Sequence, residues 1–300
     1  MKAVFDQVLV LILFFALGWF LTDREKIRDE QAGALSASVV YVFLPCTMLR
    51  TFAANCSVAY LSERYAMLLV GAGVILLLIP GAMFVSRKLS RDRYTQGIFE
   101  YILVSPSYAY VGYELCRVLF GEAHLMDMMV FTLPASILYT YSIGYCRIMD
   151  KPISLKYLMN PIIWAICAGA CIGVSGVKLP GAAVILLDKA AGCTGPVGML
   201  AAGTAMARYS VREIIKDKLS VVLVAFRLLI IPALAALVLK AVGLRDYVLP
   251  AVMMLSTPVG TNAVIFPRMI GGECRSAASA LLLSHIFCLL TIPVMVTVFC

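Results

Sequence analysis

Charge is what this chain has least of. Only 14% of its 300 residues are Asp, Glu, Lys or Arg, where an ordinary soluble domain carries roughly a quarter, so a water-facing globular surface is excluded. Histidine occurs twice, at His124 and His285. Neither an H-E-x-x-H run nor a nucleophile beside a base is present, which leaves little for acid–base catalysis and makes an integral membrane enzyme the weaker reading. Among ten cysteines no C-x-x-C spacing appears. Cys167 and Cys171 stand four apart on one helical face, but without His or carboxylate beside them they read as small packing residues, and no metal or other cofactor is expected. Acids are scarcer than bases, 17 against 25, giving a net charge of +8. The bases fall in short segments between apolar runs rather than along a stripe, so the excess charge reports membrane orientation and no nucleic-acid partner is expected.

What is abundant is apolar length: 62% of the residues are hydrophobic and the mean hydropathy is +0.95. Val4 to Leu21 has the length of a signal peptide but no small-residue cleavage site ahead of Asp23, and it reads as a first membrane span. Spans 2 to 5 follow at about 33–53, 65–86, 97–119 and 126–147, and spans 6 to 10 at about 159–176, 190–207, 219–241, 247–269 and 276–299. Each is near the ~20 residues that cross hydrocarbon.

The second five spans repeat the first. Gly18 and Pro45 fall over Gly169 and Pro196 at an offset of 151, and Leu78-Ile79-Pro80 falls over Ile230-Ile231-Pro232 at 152. A repeat with an odd number of spans inserts its second copy upside down. The expected fold is therefore an all-α polytopic membrane protein of ten transmembrane helices, arranged as two inverted five-helix repeats over residues 1–150 and 151–300 that together form one domain.

Two spans carry the wrong chemistry for a continuous helix. In Met254 to Met269, Pro258 removes a backbone donor, Gly260 loosens the turn, and Thr257, Thr261 and Asn262 add polarity. Val104 to Tyr110 holds a second break, and Ser105-Pro106 lies over Thr257-Pro258 at the 152-residue offset. Irregular backbone at membrane depth is tolerated where protein or a wet cavity satisfies its freed groups, and paired breaks in two halves point to a transporter binding site.

Lys and Arg set the orientation. Sixteen fall on one side, namely Arg24, Lys26, Arg28, Arg87, Lys88, Arg91, Arg93, Arg147, Lys151, Lys156, Arg208, Arg212, Lys216, Lys218, Arg268 and Arg275, and six on the other, Lys2, Arg64, Lys178, Lys189, Lys240 and Arg245. The first side is expected to be cytoplasmic, with both termini outside the cell membrane. Arg50, Arg117 and Arg227 remain within spans or at their ends.

Five further motifs, in order, carry a resemblance: Tyr41-Val42-Phe43-Leu44-Pro45; Gly195-Pro196 with Leu200-Ala201-Ala202-Gly203; Ile231-Pro232; Thr257-Pro258 with Asn262; and Leu283-Ser284 through Leu289-Leu290-Thr291-Ile292-Pro293. Along nearly its whole length the chain resembles the auxin efflux carrier family, which includes bacterial malate and malonate permeases and the plant PIN carriers. The resemblance implies a scaffold of spans 1, 2, 6 and 7 that can form a homodimer, a transport group of spans 3–5 and 8–10 in which broken spans 4 and 9 cross, and a small organic anion as substrate. Span 4 departs from the family pattern of Asn, four residues, Gly, one residue, Pro, since Ser107, Gly112 and Glu114 occupy those positions.

The substrate-binding candidates are Asn262, Thr261 and Pro258 from one break and Ser105, Pro106, Ser107 and Tyr110 from the other. An amide beside half-helix N-termini suits a carboxylate, although Asn, Ser and Thr also satisfy backbone freed by a proline. Glu114, with Arg117 one turn on, reads either as a structural pair or as a site for H⁺ or Na⁺ coupling. His285 reads as a packing residue or a proton carrier. A solute sensor on a transporter fold shares the whole signature.

Overall fold

The computed structural model describes residues 2–152, 161–207, 217–270, 272 and 275–300. The basic residues Lys156, Arg208, Arg212 and Lys216 and the first two residues of span 6 lie outside these, as do the side chains of Lys2 and Arg268. The described residues are mostly helical, with no strand among them. In chain order they form α1 (Lys2–Asp23), α2 (Asp29–Ser38), α3 (Leu44–Asn55), α4 (Val58–Leu89), α5 (Arg93–Val104), α6 (Tyr113–Phe120), α7 (Glu122–Pro134), α8 (Gly144–Met149), α9 (Pro161–Ser175) and α10 (Gly181–Met206). Then come α11 (Lys218–Ala225), α12 (Ile231–Ala241), α13 (Val248–Leu255), α14 (Asn262–Met269) and α15 (Arg275–Phe299). Four π-helical segments, Val39–Phe43, Tyr108–Gly112, Ala135–Ile143 and Phe226–Ile230, carry the chain into α3, α6, α8 and α12. A 3₁₀ turn, Arg245–Tyr247, leads into α13.

Among the described residues, four helical rods are long and apolar enough to cross a membrane: Glu30–Asn55, Val58–Leu89, Gly181–Met206 and Lys218–Ala241. A fifth joins them if Arg275–Cys288 and Leu290–Phe299 count as one bent span, and Leu9–Asp23 and Pro161–Ser175 are shorter apolar helices. Their outward faces stay apolar. Leu77 is 74% exposed, Leu290 68% and Leu186 66%, a surface stable against lipid and unstable against water.

Two expected boundaries are corrected. Span 3 begins at Val58 rather than 65, because the Ser57 hydroxyl caps the helix by accepting from the Tyr60 N–H at 3.0 Å, which puts Arg64 on a helix rather than in a loop. Span 7 begins at Gly181 rather than 190, directly after Pro180. Proline cannot donate within a helix but suits its start, so Lys189 also lies inside a helix. Arg147, counted with the loops, belongs to α8.

α1 and α10 pack together, as do α3 and α9. Glycine sets the distance, since a Cβ on Gly203 of α10 would stand 1.9 Å from the Phe15 carbonyl oxygen of α1, and one on Gly18 would stand 2.1 Å from that of Leu200. Small residues at such crossings let membrane helices touch backbone to backbone. α4 packs on α5 and α7, and α15 on α11 and α13. An ion pair built on a buried carboxylate ties this second group together. Glu100 of α5, 1% exposed, holds Arg147 at 2.5 and 2.8 Å and accepts from the Ser86 hydroxyl of α4 at 3.0 Å.

Candidate functional site

Each proline ends its helix in the manner its ring requires. Ser105, ahead of Pro106, is extended at φ −99 and ψ 102, as a residue before proline tends to be. α13 likewise stops at Leu255, and regular helix resumes only at Asn262. The two breaks then meet. Pro106 and Val259 form an antiparallel bridge in which the Ser107 N–H donates to the Pro258 carbonyl at 2.8 Å and the Gly260 N–H donates to the Ser105 carbonyl at 2.9 Å. Each break thus satisfies groups that the other leaves free.

A third element completes the junction. The Val259 N–H donates to Ser284 Oγ of α15 at 3.0 Å, while the Ser284 hydroxyl donates to the Leu281 carbonyl at 2.9 Å. Ser284 belonged to a family motif but had no assigned role in the sequence reading, because its partner lies 25 residues away on another helix. Thr257 turns back on its own helix, donating to the Met254 carbonyl at 2.8 Å.

Ser105, Pro106, Ser107, Tyr110, Thr261 and Asn262 all line one cavity of ≈ 50 Å³ at the junction, so the structure brings these six candidates together. Pro258 contributes its carbonyl to the bridge rather than a cavity wall. The cavity sits between helix starts at Tyr108 and Asn262 and helix ends at Val104 and Leu255, and helix starts attract anions. Ser107 Oγ, 4% exposed, has no hydrogen-bond partner.

Beside it lies a larger polar vestibule of ≈ 250 Å³, with Ala109 lining both spaces. Thr47, Arg50 and Thr51 of α3 and Asp188 and Gly195 of α10 form one wall, and Tyr113, Glu114 and Arg117 of α6 form the other. Glu114 faces this vestibule, paired with Arg117 at 2.7 Å, and does not line the junction cavity. Arg50 is paired with Asp188 and, at 2.9 Å, with Glu122 of α7. Neither acid was singled out from the sequence, although Asp188, inside the apolar α10, and Glu122, at the start of α7, were available signals.

His285 is also away from the junction cavity. Its ring stacks on Phe15 of α1 with centroids 5.1 Å apart, and Nδ1 meets the Leu281 carbonyl at 2.7 Å. Among the described residues no group of three or more His, Cys, Asp or Glu side chains is placed to hold a metal ion.

Arg227 is the least expected feature. It lies in the π-helical segment between α11 and α12, wholly buried, and its single hydrogen bond runs from Nη1 to the Leu255 carbonyl at 2.5 Å, the last turn before the second break. Nε and Nη2 have no partner, and no carboxylate is paired with it among the described residues.

The sequence profile of a family described as "Membrane transport protein" matches the chain in two stretches, residues 3–153 and 145–296. None of the curated proteins matches it. Motifs, apolar helices and profile agree over almost the whole length, and the chain belongs to the membrane transport protein family, that of the auxin efflux carriers, and is a membrane transporter.

Proposed function

We propose that the protein is a secondary active transporter that moves a small organic anion, such as a dicarboxylate, across the cell membrane by alternating access, with the junction of the two breaks as its substrate site. The observation that carries this reading is the reciprocal bridge between Ser105–Ser107 and Pro258–Gly260. It holds two helix starts and several side-chain donors around one cavity, an arrangement suited to a carboxylate in a low-dielectric setting. The cavity, at ≈ 50 Å³, has room for a few water molecules and none for a dicarboxylate, so substrate enters a more open state than this one. In this reading the chain crosses the membrane ten times, as two inverted repeats over 1–150 and 151–300. The group of α1, α2, α3, α9 and α10 is the scaffold and dimer surface, and the remaining helices are the moving part. Glu114 and His285 are the groups on which coupling to H⁺ or Na⁺ would fall.

The test is uptake of labelled malonate or malate into liposomes containing the purified protein. Asn262→Ala removes a polar contact at the junction without changing the apolar exterior, so uptake falls severely while the protein stays folded. Pro258→Ala restores a backbone donor and favours a continuous helix, so binding itself falls. Normal uptake in both variants refutes the junction as the site.

A further inference from the structure

The vestibule contains a contact that no transport step described so far uses. Arg50 belongs to α3, and one of its two acidic partners, Asp188, sits on the same side of the gap, on α10. The other, Glu122, sits across it at the first turn of α7, 2.9 Å from Arg50 Nη1. One guanidinium thus joins the two helix groups that have to shift against each other if the chain works by alternating access. Arg50 is reachable, with its side chain 28% exposed, and it lines a cavity of ≈ 250 Å³ that adjoins the junction. Thr51 Oγ1 on the same wall is buried without a hydrogen-bond partner, and so is Glu122 Oε2.

A guanidinium presents its donors in a fork that matches a carboxylate, whether that carboxylate belongs to the protein or to a ligand. An arriving carboxylate can therefore take the place of Glu122 on Nη1 while Asp188 stays bound, so that Arg50 keeps two anionic partners. The freed Glu122 carboxylate then faces the newcomer's negative charge, which drives α7 away from α3.

Resting on the reading of the chain as an anion transporter, we propose that the vestibule is a docking site for a carboxylate, with Arg50 as its ligand, and that docking opens the Arg50–Glu122 lock between the two helix groups. Thr51 supplies a spare hydroxyl beside the docked group. The site is distinct from the junction, which the anion reaches only after the lock has opened.

Hydrogen–deuterium exchange on the full protein in lipid nanodiscs tests the lock without depending on transport. Glu122→Gln weakens the pair, so amides of residues 125–133 of α7 exchange faster, by roughly two- to fivefold for a pair of ordinary partly exposed strength. Asp188→Asn leaves Arg50 to Glu122 alone, so the same amides exchange no faster than in the wild type. Malonate added to the wild type speeds them as Glu122→Gln does, and adds nothing further to that variant. Three results overturn the proposal: unchanged exchange in Glu122→Gln, equal acceleration in Glu122→Gln and Asp188→Asn, or no acceleration of the wild type by malonate. Uptake separates this from the parent reading. A protein that transports malonate but shows no effect of Glu122→Gln keeps its transport function and loses the lock, whereas the full exchange pattern without malonate or malate uptake keeps the docking site and refutes transport of these anions.

Discussion

Replacing Arg227 with methionine is expected to leave the protein at least as stable as before, which is not the usual result for a fully buried residue. A cation near the middle of a membrane helix costs about 2.5–3.5 kcal/mol on insertion scales, and among the described residues no carboxylate offsets it. Its one hydrogen bond among those residues runs to the Leu255 carbonyl, at 2.5 Å. Hydrogen bonds to charged groups contribute about 1.5–3 kcal/mol, and methionine fills much of the same volume. The two terms nearly cancel, so Arg227→Met shifts stability by no more than about 1–2 kcal/mol, with stabilisation the favoured sign. Arg147 is the control. It is held at 2.5 and 2.8 Å by Glu100, itself 1% exposed, and Arg147→Met strands that carboxylate at a cost of about 3–5 kcal/mol. Thermal unfolding in one detergent, with both variants beside the wild type, reads the difference directly. A melting temperature for Arg227→Met as low as that of Arg147→Met refutes the reasoning, because it requires a counter-charge for Arg227 in the folded protein. Uptake in Arg227→Met is expected to fall whatever its stability, since a cation held without compensation beside the broken helix is retained for function rather than for folding.

Ser284→Ala strands the buried Val259 N–H and lowers stability by about 1–3 kcal/mol, while Ser284→Thr, which keeps the hydroxyl, recovers most of it; equal melting temperatures for all three proteins would remove Ser284 from the junction. A Cβ on Gly198 of α10 would stand 2.9 Å from the Tyr110 ring, so Gly198→Ala slows uptake at saturating substrate more than it lowers the melting temperature, and unaltered kinetics contradict the idea that α10 and the first break slide past each other. Fusions of a phosphatase active only outside the cell should be active at both termini, and an inactive C-terminal fusion in a stably inserted protein breaks the inverted repeat.

The helices and both breaks were legible in the sequence because their causes are local. Apolar length makes a rod, and proline at 106 and 258 stops one. The 152-residue offset laid Ser105-Pro106 over Thr257-Pro258, and the family resemblance implied that the two broken spans cross; the hydrogen bonds that join them were not foreseen. Glu114 and Arg117 could be matched from spacing, since residues three apart share a helix face. Arg50 with Glu122, Arg147 with Glu100 and Ser284 with Val259 could not, because each depends on which rods lie side by side. The early starts of α4 and α10 were missed for another reason: hydropathy averages over a window, whereas a cap depends on one residue, Ser57 in the first case and Pro180 in the second.

The bridge between the breaks also sets an order of assembly. Ser107 and Pro258 are hydrogen-bonded at 2.8 Å, but the ribosome makes them 151 residues apart. At about 5–20 residues per second, the first break waits roughly 8–30 s for its partner, with the Ser107 N–H and the Ser105 carbonyl still open. During that interval the nascent first half depends on water or on the insertion machinery to cover those groups. A nascent chain arrested before Leu255 should therefore remain a substrate for membrane quality-control proteases, while the released full-length chain escapes them.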